Sequence, residues 1–173
     1  MITRLKEKLS ALNPISITET DHAAKGYHLD VAASPAQVVA MAEILDQEGF
    51  AIEAVTGVDW LGEAAAVAKK PEVAEGEEPV VETPGEPPEE QMEVVYDFSH
   101  SGIRPLLRIV IRCRINRGTP ELPTISGVYP GANWHERETH DFFGIIFTGH
   151  PDLSPLLLPE DADFHPLLKD FKA

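Results

Sequence analysis

The chain has one cysteine, Cys113, in 173 residues. A lone thiol excludes a disulfide within the chain. It also excludes a zinc ribbon or an iron–sulfur cluster held by the chain's own thiolates, since both need several. Cations are scarce too, with 14 Lys and Arg against 29 Asp and Glu and a formal net charge of −15. A nucleic-acid binder needs clustered cations to displace counterions from phosphates, so that class is set aside. No apolar run approaches the roughly 18 residues of a membrane-spanning helix, and the opening MITRLKEKLSAL is charged throughout, so neither a span nor a secretory leader is expected. These absences point to a reducing, cytoplasmic setting. The length and a hydrophobic content of 43% suit one domain with a proper core.

What is present divides the chain into four parts. Residues 63–90 hold nine Glu against two Lys, five Pro and no aromatic. Such a segment cannot bury enough apolar surface to offset its ordering entropy, so it reads as a disordered insertion, with docking on a basic partner as the functional alternative. Around it, 1–62 and 91–149 form the two parts of one α+β domain, and 150–173 forms a tail. Leu5, Leu9 and Leu12 predict a short amphipathic helix over 3–12, closed by Asn13-Pro14. Alternation at Ile15 and Ile17, then at Tyr27, Leu29 and Val31, predicts a hairpin. Ser34-Pro35 opens a helix carrying Val38, Met41, Ala42 and Leu45 on one stripe and ending at Gly49. AIEAVTGVDWL, MEVVYDFSH and RPLLRIVIRCRI predict three strands, the last two joined by a turn at Ser101-Gly102. The sum is a small antiparallel or mixed sheet packed with helices.

Along the last strand, period 2 puts Leu107, Ile109, Ile111, Cys113 and Ile115 on a core face. Arg104, Arg108, Arg112 and Arg114 take the other, as a solvated surface or a docking surface for an acidic partner. Cys113 is then a small buried hydrophobe, and a reactive thiol only inside an electropositive cleft.

Residues 134–144, WHERETHDFFG, suggest the zinc signature H-E-x-x-H at first sight. That motif needs two His four apart on one helical face. Here His135 and His140 are five apart and point about 140° away from each other, too far to chelate one ion. A free-standing metal-dependent hydrolase therefore rests on this stretch alone. Asn133 as N-cap with Glu136 three residues on has the spacing of a capping box. Arg137 and Asp141 stand four apart and can pair along the helix. Trp134, Glu138, Asp141 and Ile145 share a side, so the two carboxylates either do acid–base work or grip a cation from another segment.

The tail from His150 combines four prolines, three consecutive leucines and several rings. Proline forbids a long helix or central strand, yet the stretch is too apolar to be left in water. It either folds back on its own domain or wraps a partner, and its length favours the partner. His150 and His165 both precede proline, where turn-anchoring hydrogen bonds are their simplest role.

GVYPGANWHERETHDFFGIIFTGHPDL followed by HPLLKDF resembles the signature of a peripheral-arm subunit family of NADH:quinone oxidoreductase (respiratory complex I), shared with related membrane-bound hydrogenase complexes. The first block of the pattern falls on Trp134, Glu136, Arg137, Glu138, Asp141, Phe143, Gly144, Ile145, Phe147, Gly149, His150 and Pro151. The second falls on His165, Pro166, Leu167, Lys169, Asp170 and Phe171. Ser154, Pro155 and Leu168 depart from it where relatives commonly carry arginine. The resemblance implies a scaffold protein without a redox centre of its own, on the cytoplasmic side of the inner membrane. Its partners would be a hydrogenase-like large subunit and iron–sulfur subunits. NADH, FMN, iron–sulfur clusters and quinone would then be handled elsewhere in the complex. The Leu156–Glu160 run also resembles the hydrogenase branch, so the equivalent member of a nickel–iron hydrogenase or formate hydrogenlyase complex is the alternative.

Overall fold

The computed structural model describes residues 1–62, 90–104 and 106–172. All of the acidic segment at 63–90 except Glu90 lies outside the described residues. Helix α1 (Ile2–Ser10) buries Leu5 and Leu9 and gives way at Asn13, whose φ of 52° is left-handed. Strands β1 (Ser16–Glu19) and β2 (Leu29–Ala33) pair antiparallel as the alternation predicts, with one short helix, α2 (His22–Lys25), at their turn. Helix α3 (Pro35–Gln47) buries Val38, Met41, Ala42 and Leu45. Its start is fixed by Gln37, whose Oε1 accepts from Ser34 N–H and Oγ–H at 2.9 and 3.0 Å. Gln37 Nε2 in turn donates to the carbonyls of Leu12 and Asn13, tying α1 to α3.

Strands β3 (Ala51–Asp59), β4 (Gln91–His100) and β5 (Leu107–Asn116) complete a sheet in the order β1-β2-β5-β4-β3. All pairings are antiparallel except β2 with β5, which is parallel and makes the sheet mixed. The expected strand over 104–115 starts later, at Leu107, so Arg104 lies before it rather than on its polar face. Leu107, Ile109, Ile111, Cys113 and Ile115 are all in the core with Tyr96 and Phe98 of β4. Two arginines of the opposite face are partnered within the chain. Arg112 bridges Asp30 at 3.1 Å and Glu93 at 3.6 Å, and Arg114 reaches Glu93 and lies over the Trp60 ring.

After β5, two short strands that the sequence pattern does not predict, β6 (Glu121–Pro123) and β7 (Ile146–Thr148), pair in parallel. Between them runs α4 (Ala132–Phe143), packed on β3. That contact needs Gly57, because a Cβ there would meet Phe143 Cδ2 at 2.6 Å. Thr139 of α4 donates to the Val55 carbonyl on the same strand at 3.1 Å. Among the described residues no helix is long and apolar enough to cross a membrane.

Candidate functional site

Helix α4 and the tail beyond β7 form one unit, and the signature residues are what join them. The helix ends where Gly144 takes the left-handed conformation, φ 72°, and donates its N–H to the His140 carbonyl. A side chain at 144 would also strike His165, whose ring atoms stand 2.7 Å from where the Cβ would be. His165 is held there by Nδ1–H, which donates to the Asp141 carbonyl at 2.8 Å. Position 144 therefore excludes a side chain twice, once by backbone conformation and once by the ring laid across it.

Asp141 is the clamp of this unit. Its side chain is buried, and Oδ2 accepts the backbone N–H groups of Leu156, Leu157 and Leu158 at 2.8, 2.8 and 3.3 Å. Three consecutive amides around one oxygen satisfy a stretch of tail that has no secondary structure of its own. Burial alone would push this carboxyl up. The three N–H donors outweigh burial and hold it below the usual range. Arg137 does not pair with Asp141 along the helix as its spacing suggests. It donates instead to Ser154 O, Ser154 Oγ and Pro155 O at 3.0 to 3.1 Å, gripping the turn just before the three leucines. Both side chains find better partners in the tail than in each other.

The expected capping box at the helix start is also corrected. The N-cap is Gly131, without a side-chain cap, and Asn133 lies inside the helix. Glu136 turns inward with no solvent exposure, where it accepts Ile125 N–H at 2.8 Å and the Thr124 hydroxyl. Burial pushes its carboxyl up to about 7 despite those two hydrogen bonds. The side chain of His150, equally buried, stands 3.8 Å from Glu136 Oε2. Its Nδ1 accepts Asp152 N–H, and its Nε2 donates to the Asn133 carbonyl. The simple role expected for His150 and His165, anchoring backbone beside a proline, is the one each has.

The far end of the tail is anchored on the sheet. Asp59, buried at the end of β3, accepts Arg117 Nε–H and Nη2–H at 3.1 and 3.2 Å, Leu61 N–H, and Lys169 N–H at 2.9 Å. Burial acts to raise the Asp59 carboxyl, and the Arg117 guanidinium with the two backbone donors reverses this and lowers it. Arg117 also binds Asp170 at 2.6 Å and reaches Glu90. Sequence reasoning misses Asp59 and Arg117. They stand 58 positions apart, and only the antiparallel order of β3, β4 and β5 brings them together.

Of the two courses expected for the tail, its backbone takes the fold back onto its own domain, fastened to α4 and β3. Its apolar side chains, however, are not all absorbed. Leu157 is 60% exposed, Leu167 53%, Phe164 41% and Phe171 37%, with the last two rings stacked at 5.6 Å. Trp134 on α4 is 61% exposed under the Arg137 guanidinium. Glu138 and Pro151 lie at the surface and Pro166 is half-buried. Glu138 and Asp141 thus do not form a carboxylate pair, since Asp141 is occupied by amides of the tail. Cys113 is fully buried, and burial raises its thiol to about 12, which makes it a packing residue. Among the described residues no group of three or more His, Cys, Asp or Glu could hold a metal ion.

Comparison with known proteins gives the chain its relatives. The chain is 49% identical over 82 residues to an NADH-quinone oxidoreductase subunit of Roseiflexus sp. (strain RS-1), covering 47% of this chain and 46% of that protein. It is 41% identical over 81 residues to the subunit of the same name from Salinispora tropica, covering 47% of this chain and 32% of that protein. The matched stretch thus spans about a third to a half of these curated relatives. Among solved structures, Nqo5 in its trypsin-resistant fragment (1-134) is similar at a TM-score of 0.60 and 25% identity, over 88% of this chain and 98% of that one. A chain of the membrane-bound sulfane sulfur reductase, an archaeal respiratory membrane complex, shares the fold at a TM-score of 0.70 and 19% identity, over 99% of this chain and 85% of that one. Residues 31–173 match the model of the family described as respiratory-chain NADH dehydrogenase, 30 Kd subunit, and the chain belongs to that family.

Proposed function

We propose that the chain is a scaffold subunit in the peripheral arm of an NADH:quinone oxidoreductase. In this reading it docks on a hydrogenase-like large subunit beside iron–sulfur subunits, on the cytoplasmic side of the membrane, and carries no redox group itself. NADH, FMN, iron–sulfur clusters and quinone are bound by its neighbours, and the chain supports electron transfer by holding those neighbours in register.

The observation that carries this reading is the two-sidedness of the tail. Its backbone polar groups are turned inward onto Asp141, Arg137 and Asp59. Its Leu157, Phe164, Leu167 and Phe171 side chains remain exposed, as does Trp134 on α4. A fixed, extended segment that presents rings and leucines to solvent is a preorganised docking strip, whose ordering entropy is lost on folding rather than on association. The buried single thiol agrees with redox chemistry lying on other chains. Relatives named for NADH-quinone oxidoreductase favour the quinone-reducing complex over the hydrogenase branch.

The test is a pull-down of the full tagged chain from native membranes, with partners identified by mass spectrometry and the isolated chain examined by electron paramagnetic resonance. A large subunit and iron–sulfur subunits in fixed ratio, with a silent isolated chain, support the proposal. A chain that runs alone from cell extracts overturns it.

A further inference from the structure

Glu136 is the one carboxyl of the signature helix with no solvent exposure, the tail clamp does not use it, and its surroundings are those of a group that exchanges a proton. We propose that Glu136 is a buried proton-binding site, loaded from solvent through a two-hydroxyl relay formed by Thr124 and Ser126.

The relay is read from the hydrogen bonds. Glu136 Oε2 contacts Thr124 Oγ1, and Thr124 Oγ1 lies 2.8 Å from Ser126 Oγ, where either hydroxyl can be the donor. Ser126 N–H donates to Thr124 Oγ1 at 3.0 Å and fixes the middle of the chain in place. Exposure rises from Glu136, with none, to the half-buried Thr124 and Ser126. Beyond them opens a groove of about 520 Å³ between α3 and the β6–α4 loop, lined by Glu43, Thr124, Ser126, Gly127, Gly149 and Pro151 among others.

Both charge states of the carboxyl are satisfied by this geometry. With Glu136 ionised, Ser126 O–H donates to Thr124 Oγ1 and Thr124 O–H donates to Glu136 Oε2. To load the site, Ser126 Oγ takes a proton from a hydronium ion in the groove, which departs as water, the Ser126 hydroxyl proton passes to Thr124 Oγ1, and the Thr124 hydroxyl proton passes to Glu136 Oε2. One proton enters, no electrons move, and the hydroxyls end pointing the other way, with Glu136 O–H donating to Thr124 and Thr124 O–H to Ser126. Ile125 N–H donates to Glu136 Oε1 in both states. A buried carboxyl with satisfied hydrogen bonds in each state can change charge without unfolding its site.

The groups that face Glu136 fix the consequence. His150 presents Nε2 from the root of the tail, 3.8 Å away. Tyr96 faces it from β4, with its hydroxyl lacking a hydrogen-bond partner among the described residues, and Cys113 of β5 stands close to Tyr96. Glu43 of α3 lines the groove, and Arg137 on α4 itself turns away to Ser154 and Pro155. Among these groups the one from the tail is thus His150. His150 Nε2–H is given to the Asn133 carbonyl, so loading the proton acts on the root of the tail by removing a negative charge 3.8 Å from this ring. Burial places the carboxyl at about 7, where this exchange runs near neutral pH.

The experiment is a pH-jump on the full chain, followed by the infrared carbonyl stretch of the protonated carboxyl, with E136Q identifying the band. The expected results are a band that titrates near pH 7 and vanishes in E136Q, and a protonation rate that falls at least tenfold in T124V and in S126A. Should T124V fail to fold, S126A at the solvent end carries the kinetic test alone. Titration of Glu136 with surface carboxylates near 4.5, or an unchanged rate in the folded relay variants, overturns the proposal.

Discussion

Asp141→Asn removes one oxygen and one charge from the point where the tail is fastened, and the structure sets the size of the effect. In the wild type, three backbone N–H groups share Oδ2 at 2.8, 2.8 and 3.3 Å inside a buried site. A hydrogen bond to a charged group contributes about 1.5–3 kcal/mol, but three donors on one oxygen do not add fully. Asparagine offers the amides a neutral carbonyl of roughly half the strength, or turns its NH2 against three donors. The expected loss is therefore about 2–3 kcal/mol of tail docking, or a rise of roughly 30- to 150-fold in the opening of 154–158. Hydrogen exchange resolves this directly. Protection of the Leu156, Leu157 and Leu158 amides falls by that factor, while Ile109 and Ile111 in the middle of the sheet keep theirs. The same clamp has a pH signature, because its folded carboxyl is held below the ordinary aspartate value of 3.8. Its contribution is complete above that ordinary value and is lost as pH falls through the lower folded one. A uniform loss of protection across the sheet, or none at the three leucines, would refute the clamp.

Glu136 runs the opposite way with pH. Its folded carboxyl lies at about 7 against an ordinary 4.5. The folded chain holds that proton where the unfolded chain has released it, so stability from this group is full below 4.5 and falls as pH rises to about 7. With the side chain buried the fall is on the order of 3 kcal/mol, and urea titrations of E136Q between pH 5 and 8 should lack it. Arg117→Met strips the buried Asp59 of its counter-charge, for which we expect about 3 kcal/mol of destabilisation and earlier proteolysis at Lys169, checked by chemical denaturation and trypsin digestion. Gly57→Ala drives a methyl into Phe143 at 2.6 Å and should cost about 1–3 kcal/mol, with Phe143→Leu restoring much of the loss in a double-mutant cycle.

The scaffold of this chain is legible because its signals are local. The alternation from Leu107 to Ile115 names the core face of β5, and Ser34-Pro35 marks the start of α3, because each depends on residues within one turn or one pleat. The parallel pairing of β2 with β5 is not legible, since it joins Leu29 to Ile109 across 80 positions and no local pattern encodes it. The signature helix is instructive for the opposite reason. Its place follows from the sequence, but its polar residues obey partners from elsewhere. Local rules assign Glu136 to a cap and Arg137 to Asp141. A loop at 124–126 draws Glu136 inward, and tail carbonyls draw Arg137 away. Thr124 and Ser126 carry no motif that marks a relay, and only their contact with a buried carboxyl gives them a role.

The central claim is that the outward side chains of a fastened tail hold a partner. Leu157→Asp with Leu167→Asp tests it most directly, because both side chains are mostly in solvent while the fastening groups Asp141, Arg137 and Asp59 are left intact. With the tail amides still protected, pull-down of the full chain from native membranes should lose its large-subunit partner by at least tenfold, since central apolar anchors contribute about 1–2 kcal/mol each. Undiminished capture of that partner by the folded double variant would contradict the account.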